Sequence, residues 1–144
     1  DLTHPAHVLF FEAAKGRGDI LVVAVGNDAL ILKLKGGERP VLNEYLRRKM
    51  VSALKPVDYC FIGVTSPEEH PLRMLELAFE TLRPDIYAVT NGSFDIPYRA
   101  ALAARYGVEC AVIDPLIAAL ERTSPTEFTR ATTTNIINRI RRLG

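Results

Sequence analysis

Two periodicities alternate along this chain, and their exchange constrains its fold more than any other feature. Short aliphatic runs at Ile20–Val25, Asp58–Ile62, Asp85–Thr90 and Glu109–Ile113 recur between stretches whose apolar residues fall at helical spacing. A near-continuous apolar run of this length suits a parallel strand, because helices on both faces leave neither face to water. Gly63, Asn91-Gly92 and Asp114-Pro115 close the later three runs, the punctuation expected where a strand turns. Helical spacing predicts helices over Pro5–Ala14, Asn43–Leu54, Pro71–Leu82, Pro97–Tyr106 and Thr133–Leu143. Asn43 is placed to cap the second of these, and Gly107 to end the fourth. Arg139, Arg141 and Arg142 suit the negative end of the last helix dipole. Residues 116–122 allow one more short helix within the least regular stretch, 114–132.

Such alternation predicts an α/β fold with a doubly wound, mostly parallel sheet and helices on both faces. The 144 residues contain no internal repeat, linker or low-complexity segment, so a single domain over 1–144 is expected. The chain opens on a helix start, and the same winding predicts a first strand upstream of residue 1. Hydrophobic content of 48% with a net charge of +1 excludes a disordered chain. Ile20–Val25, the longest apolar stretch, is far short of the ~20 residues that span a bilayer. The first residues lack the basic-then-apolar pattern of a secretory leader. Cys60 and Cys110 sit inside apolar runs and read as small buried hydrophobes, consistent with a reducing, cytoplasmic setting. The balance of 18 basic against 17 acidic side chains argues against a general nucleic-acid binder.

The chemistry concentrates at Thr3-His4-Pro5-Ala6-His7, where the first helix begins. Thr3 is placed to cap that helix, and Pro5 is tolerated in its first turn. His4 and His7 stand three residues apart, so both can face one side of the helix. A helix start offers free N–H groups and partial positive charge, which attract phosphate. Imidazoles there can donate to phosphoryl oxygens as charge develops. The same spacing also fits a surface pair, or a metal pair, although no Cys or carboxylate cluster supplies further ligands.

More of the chain follows in a recognisable order. Asp1-Leu2-Thr3-His4-Pro5-Ala6-His7 is followed by Ala13-Ala14-Lys15-Gly16-Arg17-Gly18-Asp19, then by Val22-Val23-Ala24-Val25-Gly26-Asn27-Asp28. Leu34-Lys35-Gly36, Arg39-Pro40, Arg47, Ala53-Leu54 with Val57-Asp58, Leu82-Arg83-Pro84-Asp85 and Thr132-Thr133-Thr134-Asn135-Ile136-Ile137 complete the series. This ordered set resembles the cytidylyltransferase-like nucleotidyltransferases. Within them it is most similar to the adenylyltransferase domain of bacterial heptose-1-phosphate enzymes, with glycerol-3-phosphate cytidylyltransferase next.

The resemblance implies a Rossmann-like fold that moves AMP or CMP from ATP or CTP onto a small phosphorylated sugar or polyol, releasing pyrophosphate. It implies that His4 and His7 contact the nucleotide phosphates and stabilise charge on them. Asp1, Thr3 and Asn91 would also face the nucleotide, and Thr132, Thr133 and Thr134 would form a second helix start on the triphosphate. Lys35 would reach the triphosphate or the incoming phosphate from a Gly-Gly loop, and Arg47 would add positive charge from the next helix. Asp28 would lie in the crevice beyond a strand end, on the substrate side. No nucleophilic side chain is needed, since the substrate phosphate attacks and the protein positions and neutralises. Magnesium would accompany the triphosphate. Homodimers are common in the resembling family, and Tyr45, Phe79 and Tyr98 are interface candidates. The alternative is a catalytically degenerate nucleotide-binding or assembly module on the same fold.

Three departures from the family pattern stand out. Ala6 replaces the glycine between the histidines, and Val89-Thr90-Asn91-Gly92 replaces a Lys-Gly-Gly-Asp stretch. Arg99 and Arg130 are candidates to supply the cation missing at Val89. Gly92-Ser93-Phe94-Asp95 resembles the family's first-strand ending, but no histidine pair follows it.

Overall fold

A computed structural model describes residues 2–114 and 132–143 of the chain. The elements run α1 (Pro5–Lys15), β1 (Val22–Gly26), α2 (Asp28–Lys35), α3 (Glu44–Ser52), β2 (Tyr59–Gly63), α4 (Arg73–Leu82), β3 (Ile86–Thr90), α5 (Ile96–Arg105), β4 (Glu109–Ile113) and α6 (Thr133–Leu143). The strands and the long helices are those the periodicity predicts. Helix α2 is an addition: eight residues are too few to betray a period, and its start is set by the Asn27 side chain, which accepts from Leu30 N–H at 3.2 Å. Asn43 caps α3 through Leu46 N–H at 3.0 Å, as expected. His4, not Thr3, takes the cap position of α1, because the helix begins at Pro5. The short helix considered over 116–122 lies outside the described residues.

The strands form two parallel pairs. Val22 to Gly26 of β1 lie beside Tyr59 to Gly63 of β2, and Ile86 to Thr90 of β3 lie beside Glu109 to Ile113 of β4. Among the described residues the single sheet expected from the sequence is thus divided in two.

Each pair has its own core. Phe11 of α1 and Val51 of α3 pack with Val57 against Val23 and Val25, which share a face of β1. Leu72, Leu75 and Phe79 of the α4 region meet Leu102 and Ala103 of α5 over Tyr87 and Cys110. Phe79 is therefore a core residue, 3% exposed, and cannot serve the interface considered for it. Its ring meets those of Tyr87 and Tyr106 with centroids 5.2 and 5.8 Å away. Helix α1 also approaches β4, so it stands against both halves. Gly63 ends β2 where Met74 of α4 packs close; an added Cβ would come within 2.2 Å of its methyl carbon.

Local ties fix the strand ends. At the amino end, Asp58 accepts from Leu21 N–H and from Lys15, each at 2.6 Å. Those bonds hold its carboxyl below the usual carboxylate range. At the carboxyl end, Arg47 of α3 is buried. It donates to the Leu42 and Gly26 carbonyls at 2.9 and 2.8 Å and to Asp28 Oδ1 at 2.5 Å. One guanidinium thereby joins the end of β1, the start of α2 and the approach to α3.

Replacing Arg47 by Met would leave two carbonyls and a carboxylate without their donor. The expected cost is about 3 kcal/mol, seen as a lower denaturant midpoint with an unchanged slope. A loss under about 0.5 kcal/mol, within the range of ordinary surface substitutions, would refute this role.

Candidate functional site

The loops that follow β1 and β2 and the starts of α1 and α6 meet at the carboxyl edge of the strands. His4 caps α1 with extended backbone, and its carbonyl accepts from His7 N–H at 2.9 Å. The His4 N–H in turn donates to His7 Nδ1 at 3.3 Å. That bond leaves Nε2 to carry the proton of the neutral ring. The two rings lie with centroids 3.9 Å apart. Thr3, His4, Pro5, Val8, Leu9 and Glu12 line an open groove beside them.

This pair sits in a crowd of positive groups. Burial, then the neighbouring His4, pushes the His7 imidazole down to about 4, and Lys35 adds to the shift. Burial also lowers His4, again with Lys35 contributing. The Lys35 ammonium is itself lowered by burial and by Arg39 and Arg47. Each group thus senses the next, and the α1 dipole adds to the same field. His4 Nδ1 is buried and has no hydrogen-bond partner among the described residues. A multiply charged anion would relieve the repulsion throughout the cluster.

Other predicted site residues reach this edge by different routes. Thr133 Oγ1 donates to the Leu2 carbonyl at 3.2 Å, which sets the start of α6 against the start of α1. Thr132 Oγ1 accepts from Asn135 N–H at 3.2 Å and acts as the α6 cap, with Thr134 in the first turn. Arg141 further along α6 pairs with Glu38. Lys35 ends α2 beside Gly36 and Gly37, both at φ +61°, a backbone that favours glycine and lets the loop turn sharply. Asn91 follows β3 and donates to Asp114 at 2.8 Å. Thr3 lies beside His4 on the groove. Asp1 and Arg130 lie outside the described residues.

Arg47 and Asp28 are engaged with each other rather than presented as a free cation and anion. Asp28 N–H also donates to Glu44 Oε2 at 2.8 Å. Arg47 therefore acts on the cluster through its field on Lys35 while its own donors hold backbone and Asp28. Arg99 donates to the Phe94 carbonyl at 2.6 Å and to the Tyr87 hydroxyl. Val89 is a buried core residue of β3. His70 stands outside the cluster: its Nδ1 accepts from Leu72 N–H, and its ring lies 4.8 Å from Tyr98.

Sequence reasoning missed Asn27 and Arg39. Asn27 N–H donates to the Gly63 carbonyl at 3.1 Å, and its side-chain nitrogen to the Thr65 carbonyl at 3.0 Å, so it links both strand ends while capping α2. An Asn before a helix was a visible capping signal, but its second partner lies 38 residues away. Arg39 follows Lys35 in the same Gly-rich loop and reads in sequence as solvated charge; the structure makes it one of the cations that lower the Lys35 ammonium.

The chain is similar in sequence and in fold to known proteins. Residues 1–89 match the family model described as cytidylyltransferase-like. The chain is 38% identical over 117 residues to the FAD synthase of Methanopyrus kandleri, covering 78% of this chain and 71% of that protein. It is 43% identical over 86 residues to the FAD synthase of Aciduliprofundum boonei, covering 60% of this chain and 52% of that one. It is also 41% identical over 96 residues to the bifunctional protein HldE of Citrifermentans bemidjiense, covering 67% of this chain and only 18% of that protein. The crystal structure of a lipopolysaccharide core biosynthesis protein from Thermoplasma volcanium superposes with a TM-score of 0.59 at 25% identity, covering 79% of this chain and 87% of that one. A strand–helix order read from the sequence, the same order in three dimensions and a family model spanning its first 89 residues agree, and the chain belongs to the cytidylyltransferase-like family.

Proposed function

We propose that the protein transfers a nucleotidyl group, AMP or CMP, from an NTP to a small phosphorylated sugar or polyol. The observation that carries this reading is the placement of two neutral imidazoles, His4 and His7, at a helix start beside the cations Lys35, Arg39 and Arg47, where burial and neighbouring positive charge lower His4, His7 and Lys35. Such a site favours triphosphate over any neutral ligand.

In the proposed step an oxygen of the acceptor phosphate attacks the α-phosphorus in line. A new oxygen–phosphorus bond forms as the bond to the bridging oxygen of pyrophosphate breaks, and pyrophosphate leaves with that electron pair. The neutral His7 donates from Nε2, which the His4 N–H bond at Nδ1 favours. His4 stands beside it, and the start of α6 offers N–H groups and the Thr132 and Thr134 hydroxyls, while the Thr133 hydroxyl is held by the Leu2 carbonyl. Lys35 neutralises charge on the triphosphate or acceptor phosphate. Positioning and charge suffice for phosphoryl chemistry. Magnesium would accompany the triphosphate and offset its charge, as the resemblance implies; among the described residues no group of three His, Cys, Asp or Glu side chains is arranged to hold a metal ion.

Relatives named FAD synthase support a second acceptor, the phosphate of a flavin mononucleotide, on the same chemistry. The chain spans about half of one such relative and under a fifth of the HldE protein, so the acceptor is chosen by experiment. Pyrophosphate release should be followed with ATP and CTP against sugar phosphates, glycerol 3-phosphate and flavin mononucleotide. Turnover with one acceptor is expected. Tight nucleotide binding with no turnover across the panel would establish the degenerate binding module instead.

Substituting His7 or His4 by Ala should each lower kcat by about a hundredfold, close to 3 kcal/mol of transition-state stabilisation. Rates within twofold of the parent in both variants would remove the histidines from the mechanism.

The His7 shift also makes stability depend on pH. Its folded value of about 4 lies below the unfolded value of 6.5, so the unfolded chain binds the proton first. The contribution is complete above about pH 6.5 and declines as pH falls toward about 4. Bound inorganic triphosphate raises the imidazole value and shallows this slope. Denaturation at pH 7 and pH 5, with and without triphosphate, reads the difference; equal slopes in parent and His7→Gln would contradict the assignment.

A further inference from the structure

We propose that Phe94 stacks on the base of the bound nucleotide, an inference that rests on the nucleotidyl-transfer reading. The carboxyl edge has two chemically different sides. Lys35, Arg39 and Arg47 all belong to the β1–β2 half, which claims the phosphates. The β3–β4 half offers Asn91, Ser93, Phe94 and Asp114, and the cation at its helix start, Arg99, is committed to the Phe94 carbonyl and the Tyr87 hydroxyl. Helix α1 carries the histidines and touches both halves. A nucleotide held by its phosphates at the α1 start and drawn toward the cations on one side has its ring left for the other.

Phe94 is built for that contact. The residue is 54% exposed, whereas in the same half the Phe79 ring packs against Tyr87 and Tyr106. The loop beneath it is held firmly. Thr90 and Ser93 hydroxyls meet at 3.0 Å, Ser93 N–H donates to the Thr90 carbonyl at 3.0 Å, and Arg99 grips the Phe94 carbonyl at 2.6 Å. Asp95, at φ +49°, caps α5 by accepting from Tyr98 N–H at 3.2 Å. An exposed ring on a fixed loop loses little entropy when it stacks. The surface beside it is open: a Cβ added at Gly92 would meet nothing within 4 Å. The Asn91–Asp114 pair, joined at 2.8 Å, adds the donor and acceptor chemistry that a base edge requires.

The chain contains no tryptophan, so Phe94→Trp creates a single indole reporter. Its emission should fall on saturation with ATP or CTP and stay unchanged with inorganic triphosphate, which has no ring. In calorimetry Phe94→Ala should weaken NTP binding about tenfold and leave inorganic triphosphate affinity unchanged. Equal NTP affinity in Phe94→Ala and parent, or weakening of both ligands alike, would overturn the stacking role alone. Failure of the parent protein to bind either NTP or inorganic triphosphate would overturn it together with the nucleotidyl-transfer reading.

Discussion

The Arg47 guanidinium is the interaction on which the rest of this edge depends. It joins the last carbonyl of β1, the carbonyl at Leu42 and the Asp28 carboxylate, three points separated along the chain by loops and a helix. Arginine suits the position because its planar fork offers several donors in fixed directions and does not lose its charge on burial. Lysine could not hold all three partners at once with the same geometry. With the start of α2 fixed by Asp28 and Asn27, its eight residues deliver Lys35 to the histidines. A structural tie at one end of a short helix thus sets the electrostatics at the other.

The histidine pair depends on a second local device. A helix cap is usually a small polar residue, since its side chain must accept from the first turn. Here the imidazole three residues on accepts from the cap residue's own N–H. The arrangement closes an otherwise open donor and orients the His7 ring. Its cost is proximity: two imidazoles and an ammonium sit where none carries its proton easily. A site kept short of protons by its own charges is poised to bind anions, because each phosphate oxygen that enters relieves several unfavourable terms together.

Much of the fold was legible in the sequence because its signals are local. Four aliphatic runs became four strands, and Asn43 and Gly107 mark helix ends as their chemistry requires. The misses share a cause. Helix α2 is too short to show a period, Thr3 lost the cap to His4 by one residue, and Phe79, on the apolar face of its helix and considered for an interface, is taken by the core beside Tyr87. The candidate site was legible only as a set of residue types. That Arg47 donates to the Gly26 carbonyl and to Asp28, or that Asn27 bridges to Thr65, depends on partners 19 to 38 residues distant.

By itself the sequence determined the alternation of strands and helices, the helix start bearing two histidines and the supply of cations, since these follow from periodicity, capping and composition within a few residues. The tertiary structure alone decided how the strands divide into pairs, which cations face the histidines and which are held by carbonyls, and that α6 returns to lie against Leu2. The physical reason is range. Propensities and caps act between neighbours in the chain, whereas burial, field and long-range hydrogen bonds act between neighbours in space, and those neighbours exist only once the core has formed.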